Sequence, residues 1–237
     1  MANQRTGWRA TTTPAAGTIR IIGPTLNRYQ GTFSSATPKV THQMSHTENL
    51  RTGRLRALRH LCDIARAANF SCFVTLTFAN PVEPREGVKL IRKVRRTKSI
   101  KALPPEAKKH VMVPELDAHK RFHFHILCHP ELAAALQTAW NHGFIDIKPI
   151  SFDELGRICG YLSKTFDKED RPTQRRYYAS RGLKPATSSR LLDNAPAINQ
   201  HLDDHRNGRE LVEDYESNSL FRNHRVVVWN PHEIMNQ

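Results

Sequence analysis

The stretch 121–127, Arg-Phe-His-Phe-His-Ile-Leu, fixes both its own backbone and the direction of its side chains. Apolar residues at every second position would lie on one face of an extended strand and anchor it in a core. His123 and His125 would lie together on the other face, where two imidazoles can point at one metal ion. The alternative is a pair of surface histidines on an amphipathic strand, so partner residues elsewhere must decide between the two.

The charge balance indicates the class of partner. Lysine and arginine number 36 against 22 aspartates and glutamates, which gives a formal net charge of +14 and a pI near 10.1. Such a balance is typical of proteins that bind a polyanion, most simply nucleic acid. A basic surface with no such partner is the alternative.

Cysteine usage and hydropathy predict the compartment. The four cysteines form no Cys-x-x-Cys pair, which favours reduced thiols over a disulfide or zinc framework. No apolar run is long enough to span a membrane, and the N-terminus lacks the apolar core of a signal peptide. We therefore expect a soluble, cytoplasmic protein.

The composition predicts three regions. Residues 1–44 are rich in Thr, Ser, Pro, Gly and Ala with scattered Arg, and we expect a flexible basic segment in which only 18–22 resembles a strand. Residues 45–190 would form the main domain, and 191–237 a C-terminal extension whose final strand packs on it. Residues 185–220 are polar and give no clear pattern.

Periodicity within these regions predicts an α+β fold. Strands are expected at 72–78, 110–116, 121–127, 144–147 and 225–229, and helices from 45, at 86–96, at 130–140 and from Ser151 to about 166. Four residues separate the second and third strands, which should form a hairpin, and Pro114 suggests an edge or a bulge. The outcome is an antiparallel sheet of about five strands flanked by helices.

Glu115 is the candidate third ligand beside the histidine pair. It lies near the end of the strand that precedes them, so the hairpin could bring the three side chains together. Two imidazoles and one carboxylate suit Mg²⁺ or Mn²⁺, with Zn²⁺ possible in vitro. The alternative for Glu115 is a carboxylate at a loop edge. His201 and His205 are also four residues apart, but two aspartates between them favour an exposed helix face of mixed charge.

Tyr161, Lys164 and Lys168 would share one face of a helix, at spacings of three and four residues. A tyrosine hydroxyl has a pKa near 10 and is a poor nucleophile at neutral pH. It can attack a phosphodiester when a metal polarises the phosphate and a neighbouring cation steadies the developing charge. The alternative is a surface tyrosine with a solvated lysine.

Taken in order, these motifs resemble those of the HUH endonucleases, over about residues 68–185. The matching parts are Val-Thr-Leu-Thr-Phe at 74–78, the glutamate before the His-x-His strand, and Tyr-x-x-Lys at 161–164. They are most similar to the rolling-circle replication initiator (Rep) proteins of single-stranded DNA phages and small plasmids. Residues 140–147 and 176–182 also resemble stretches that flank the tyrosine motif in phage replication-associated proteins.

The resemblance implies a role for each residue. His123 and His125 match the two histidines of the HUH motif, Glu115 the acidic metal ligand, Tyr161 the nucleophile and Lys164 its companion lysine. It also implies a ferredoxin-like or RRM-like fold and a divalent metal cofactor, Mg²⁺ or Mn²⁺. Four further residues are expected to contact DNA: Lys168, Arg176, Tyr177 and Arg181.

One departure concerns the number of tyrosines. Related phage proteins often carry a second tyrosine one helical turn away, where this chain has Arg157 and Thr165. Only Tyr161 is then a credible nucleophile, and a mechanism that alternates between two tyrosines is not expected.

The implied activity is metal-dependent, sequence-specific nicking at an origin, which leaves a 5′-phosphotyrosine and a free 3′-OH primer, followed by strand joining. Origin DNA and single-stranded DNA would be the partners, in the cytoplasm of a bacterial host. The chain has no P-loop motif, so a host helicase and polymerase would complete replication. Two alternatives remain: a single-tyrosine transposase or mobilisation nuclease of the same superfamily, and a non-catalytic basic DNA-binding protein.

Overall fold

The computed structural model describes residues 8–22, 46–117, 119–166, 172–192, 195–206, 211–218 and 223–232. The chain divides into two compact units. Gly53–Pro185 forms one, called the central unit below, and Met1–Thr52 together with Ala186–Gln237 forms the other, called the terminal unit.

Strands and α-helices alternate along the described residues. The strands are β1 Trp8–Thr13, β2 Thr18–Ile22, β3 Cys72–Phe78, β4 His110–Leu116, β5 Phe122–Cys128, β6 Gly143–Pro149, β7 Tyr178–Ala179, β8 Ser188–Leu192, β9 Leu211–Asn218 and β10 Asn223–Trp229. The helices are α1 His46–Ala67, α2 Pro84–Val94, α3 Lys98–Ala102, α4 Pro130–Ala139, α5 Glu154–Leu162 and α6 Ala195–Arg206. The α+β class is therefore confirmed.

The central unit is built on an antiparallel sheet in the order β6-β3-β5-β4-β7. One face of this sheet is apolar, and α2, α3 and α4 contribute the side chains packed with it, among them Ile91, Ile100 and Leu136. In β3 every second residue is buried, which matches its alternating sequence. The expected sheet with flanking helices is confirmed, whereas its assignment to a ferredoxin-like or RRM-like fold stays a prediction.

The predicted β4–β5 hairpin is present, with Leu116 opposite Phe122. The turn is held by Asp117, whose carboxylate accepts hydrogen bonds from the backbone N–H groups of His119 and Arg121. The other edge of β4 pairs with β7 only at Val111 and Met112. Pro114 lies beyond that pairing, so its missing N–H donor falls on the part of the strand where β7 does not reach.

Helix α5 begins and ends differently from the prediction. Ser151 does not cap it: the helix starts at Glu154, whose carboxylate accepts hydrogen bonds from the N–H and the Oγ of Ser151 at 3.1 and 3.2 Å. The helix ends at Leu162, and Ser163–Thr165 forms a 3₁₀ turn. The predicted continuation of one helix to residue 166 was therefore wrong.

The terminal unit has its own antiparallel sheet, in the order β8-β1-β2-β10-β9. Strand β2 was expected, but β1 was not, so the prediction of a flexible segment is wrong for Trp8–Thr13. The alternation of Thr and Ala in β1 gives a weak hydrophobic signal, and the strand is held by pairing with β2 on one side and β8 on the other. The final strand β10 pairs with β2 and β9.

His201 lies in the core of the terminal unit. It is 5% exposed, and its Nε2 is 2.9 Å from Thr12 Oγ1 of β1. Its neighbours on α6, Ile198 and Leu202, belong to the apolar cluster with Ile19. The prediction of an exposed helix face is therefore wrong for His201, because α6 packs with that side inward.

Within the parts of the chain that the structure describes, no helix combines the length and the apolar character needed to cross a membrane.

Candidate active site

The register of the β4–β5 hairpin brings three potential ligands together. Glu115 lies directly opposite His123, and His125 lies two residues further along the same face of β5. Glu115 Oε2 accepts a hydrogen bond from His125 Nε2 at 2.9 Å and is 3.6 Å from His123 Nε2. One ligand atom from each of the three side chains lies within 4.8 Å of the other two. The structure thus brings together the residues expected to form a metal site.

Two residues of β3 hold His125 in place. Thr75 is paired with His125 across the sheet, and its Oγ1 is 3.1 Å from His125 Nδ1. The ring of Phe73 is stacked on the imidazole, with 5.3 Å between ring centroids and 17° between ring planes. The hydroxyl and the aromatic ring therefore fix the orientation of His125, and sequence reasoning assigned neither residue to that task.

The electrostatics of the cluster favour an ionised carboxylate. Burial alone would raise the pKa of Glu115, but the hydrogen bonds and charges of His123 and His125 outweigh it and hold the pKa well below its usual range. The side chains of Glu115, His123 and His125 are only 14%, 12% and 6% exposed. A carboxylate that stays charged at a partly shielded site is what a hard divalent cation requires.

The donor set fits a divalent metal ion. Two imidazole nitrogens and one carboxylate leave coordination positions for water or a substrate oxygen. A neutral imidazole that binds a cation through Nε2 carries its hydrogen on Nδ1, and Thr75 Oγ1 is placed to accept it. Glu115, His123 and His125 are therefore the residues that would hold the ion.

Helix α5 places Tyr161 beside this cluster. Leu155, Ile158, Cys159 and Leu162 are its buried residues, whereas Tyr161 is 48% exposed. The Tyr161 ring meets the His125 ring edge-to-face, with centroids 5.9 Å apart. Burial and the charge of Glu115 raise the pKa of Tyr161, so its hydroxyl is protonated at neutral pH.

Lys164 lies next to Tyr161, although the two are not on one regular helix. Its Nζ is 5.7 Å from the centre of the Tyr161 ring. The 3₁₀ turn that follows α5 makes this approach, and it supplies a cation close to the phenol. Lys168 lies outside the described residues.

The structure places the other expected DNA contacts in different surroundings. Arg181 is exposed, whereas Arg176 donates from Nε to the carbonyl oxygen of Phe166 at 3.3 Å. Tyr177 is partly buried, with its hydroxyl hydrogen-bonded to His60 Nδ1 and its ring stacked on Phe166. Burial raises the pKa of Tyr177. Its packing supports a structural contribution besides any contact with DNA.

Phe144 is a residue of this face that sequence reasoning missed. It is 73% exposed, and the register places it opposite Thr77, which in turn is opposite His123. Asp146 and Lys148 follow on the same side of β6, while Ile145 and Ile147 pack against the core. The alternation in β6 was recognised, but hydrophobicity alone does not indicate that the phenylalanine belongs to the polar side.

Comparison with known proteins gives one match. Residues 71–170 match the family model of replication-associated proteins of the ORF2 type. This segment contains Glu115, His123, His125, Tyr161 and Lys164, and it ends before Arg176. The chain matches no curated protein and no solved structure.

Proposed function

We propose that this chain initiates rolling-circle replication by nicking DNA at an origin with Tyr161 as nucleophile. One observation carries the proposal: the Tyr161 ring lies edge-to-face against His125, which belongs to the cluster with Glu115 and His123. The match of residues 71–170 to a replication-associated family supports the same role.

The chemistry assigns a task to each side chain. Glu115, His123 and His125 would hold a divalent ion, Mg²⁺ or Mn²⁺, which when bound supplies positive charge to the scissile phosphate. The Tyr161 oxygen attacks the phosphorus and displaces the 3′ oxygen, so the product is a 5′-phosphotyrosine with a free 3′-OH. The Lys164 ammonium, near the Tyr161 ring, stabilises the negative charge that develops on the phenol oxygen.

Strand joining is the same reaction in reverse. The 3′-OH attacks the phosphotyrosine and releases Tyr161, which closes the circle. Because α5 carries a single tyrosine, each covalent step passes through the same side chain. A host helicase and polymerase would act between the two steps, in the cytoplasm where the replicating DNA lies.

The surface around the cluster suits a single strand. Phe144 offers an exposed ring on which a base can stack, and Lys148 offers a cation on the same strand. Arg181, Arg176 and Lys168 stay predictions as phosphate contacts, and Tyr177 as a DNA contact. The net charge of +14 favours binding along the strand.

Tyr161→Phe tests the nucleophile. Incubation of the protein with circular single-stranded DNA and Mg²⁺ or Mn²⁺ should give a covalent protein–DNA adduct on a denaturing gel. The variant should form no adduct, because it lacks the attacking oxygen, yet it should bind the same DNA in EDTA. Tyr178→Phe is the matched control and should form the adduct as the wild-type protein does.

Two outcomes would contradict the proposal. An adduct that persists in Tyr161→Phe would remove Tyr161 from the reaction. Salt-sensitive binding with no adduct from any candidate origin, with either metal, would instead favour a non-catalytic DNA-binding protein.

A further inference from the structure

A cavity of about 570 Å³ opens beside Tyr161 in the central unit. This volume lies within the range of roughly 300–1,000 Å³ typical of small-molecule sites. Phe73, Ile150 and Ile158 give it an apolar interior, and Gly160 and Tyr161 of α5 form part of its wall. The metal-cluster residues do not line it, so its ligand need not be the ion.

Phe73 connects this cavity with the metal cluster. The ring lines the cavity and is also stacked on His125, while Tyr161 contacts His125 and lines the cavity as well. A group held in the cavity therefore lies next to the attacking oxygen. If it belongs to a DNA strand, it belongs to a nucleotide adjoining the phosphate that Tyr161 attacks.

The charges around the cavity are mainly positive. Lys148, Arg157 and Lys164 line it against one carboxylate, that of Glu154, which pairs with Arg157 at 2.7 Å. The side chains of Lys148 and Arg157 are 66% and 75% exposed, which places their charges at the solvent side. An apolar interior with a cationic rim suits a flat uncharged ring attached to an anion, which describes a nucleotide.

We propose that this cavity binds one unpaired nucleobase of the DNA strand, from the nucleotide next to the scissile phosphate. The base packs against Phe73 and Ile158, and the lysines and Arg157 contact the flanking phosphates. The inference rests on the proposed function and deepens it, since it places a base-dependent contact beside Tyr161. It also requires the strand to be unpaired at that position, because a stacked base within a duplex cannot enter the cavity.

Gly160→Leu tests the cavity without disturbing its frame. A Cβ at Gly160 meets no other atom within 4 Å, and leucine is a better helix former than glycine, so the variant should fold. Both forms are made in the Tyr161→Phe background and measured in EDTA, which removes cleavage and metal binding from the readout. The probes are a short fluorescent oligothymidylate and an abasic strand of equal length and charge.

Without the extra leucine, the Tyr161→Phe protein should bind oligothymidylate more tightly than the abasic strand. Gly160→Leu should reduce that preference at least about fivefold, the effect of losing one stacked base, while affinity for the abasic strand stays the same. Ala134→Leu, an equivalent enlargement at an exposed position of α4, should leave the preference intact.

The outcomes separate the two hypotheses. An undiminished preference in Gly160→Leu would overturn the base-binding cavity alone, since the protein would still recognise bases elsewhere. Equal loss of affinity for both probes would also overturn it, because the cavity would then act on phosphates only. Failure of the Tyr161→Phe protein with an unaltered cavity to bind either probe would contradict the proposed function itself.

Discussion

The hydroxyl of Thr75 determines which nitrogen of His125 is available to a metal. With Oγ1 at 3.1 Å from Nδ1, the imidazole can keep its hydrogen on Nδ1 and present Nε2 to the cluster. The hydroxyl is therefore part of the metal centre although it does not belong to the ligand set.

Thr75→Val should weaken Mn²⁺ binding by about 10- to 100-fold, because the isosteric side chain cannot accept the Nδ1 hydrogen. Isothermal titration calorimetry measures the change. Thr75→Ser keeps the hydroxyl and should bind Mn²⁺ nearly as the wild-type protein does. Equal affinity in Thr75→Val and wild type would exclude this role.

At the scale of single residues, the sequence identified the ligands better than their supports. Glu115, His123 and His125 could be predicted because strand periodicity places them on one face of a hairpin. Thr75 and Phe73 could not, because their roles depend on the register between β3 and β5, two strands that are far apart in the chain. The cavity wall depends on α5 and β6 together and has no local signal.

Strand β6 presents a ring to solvent at the edge of the central sheet. Phe144→Ala should weaken single-strand binding by about fivefold or more, because one base loses its stacking partner. Fluorescence anisotropy with a labelled oligonucleotide measures this loss, and Phe144→Tyr should retain the affinity. A thermal unfolding midpoint close to wild type is expected, since the ring is 73% exposed. Unchanged affinity in Phe144→Ala would contradict the contact.

The start of β4 contains a buried histidine that makes stability depend on pH. His110 Nδ1 donates to the Lys108 carbonyl oxygen at 2.8 Å, and Ser180 of the segment after β7 lies 3.0 Å from the same nitrogen. Burial is the main cause that lowers the pKa of His110 from 6.5 to about 4, with the charge of Arg95 adding to it. The folded protein therefore holds this imidazole neutral.

The unfolded chain binds the His110 proton more readily than the folded one between pH 6.5 and about 4. Its contribution to stability is complete above pH 6.5 and is lost as the pH falls through that window, by up to roughly 3 kcal/mol. His110→Gln cannot be protonated, so its free energy of unfolding should fall less than that of wild type between pH 7.5 and 4. Urea unfolding measures both, and parallel pH profiles would contradict the assignment.

Among the elements, those with strong periodicity were predicted well. The bounds of β3 and β4 agree with the sequence pattern, and α2 buries the expected Val88, Ile91 and Val94. Strands β1, β8 and β9 and helix α6 were missed, because short polar strands gain their order from neighbours that are distant in the chain.

Over the whole molecule, the positive charge should act locally rather than uniformly. Lys148 lies on the face of the central sheet with the metal cluster, whereas Lys89 lies on α2, against the opposite face, and pairs with Glu86 at 3.0 Å. Binding to a single strand should weaken linearly on logarithmic axes as salt rises, with a slope set by the number of phosphates neutralised.

Lys148→Ala should reduce the magnitude of that slope by about 0.7, the value for one phosphate contact on a single strand. Lys89→Ala should leave the slope unchanged. Filter binding or anisotropy across a salt series measures both slopes. Equal reductions would mean that the charge of the molecule acts as a diffuse field with no defined path.

The two units also differ in when the ribosome can supply their parts. The strands of the central sheet come from one uninterrupted stretch of chain, so they emerge together during translation. Strands β1 and β2 emerge first of all, but their partners β8 and β10 leave the ribosome only near the end of synthesis. A nascent chain halted after the central unit would therefore carry unpaired strand edges at its beginning, the part most exposed to wrong pairing and to proteases.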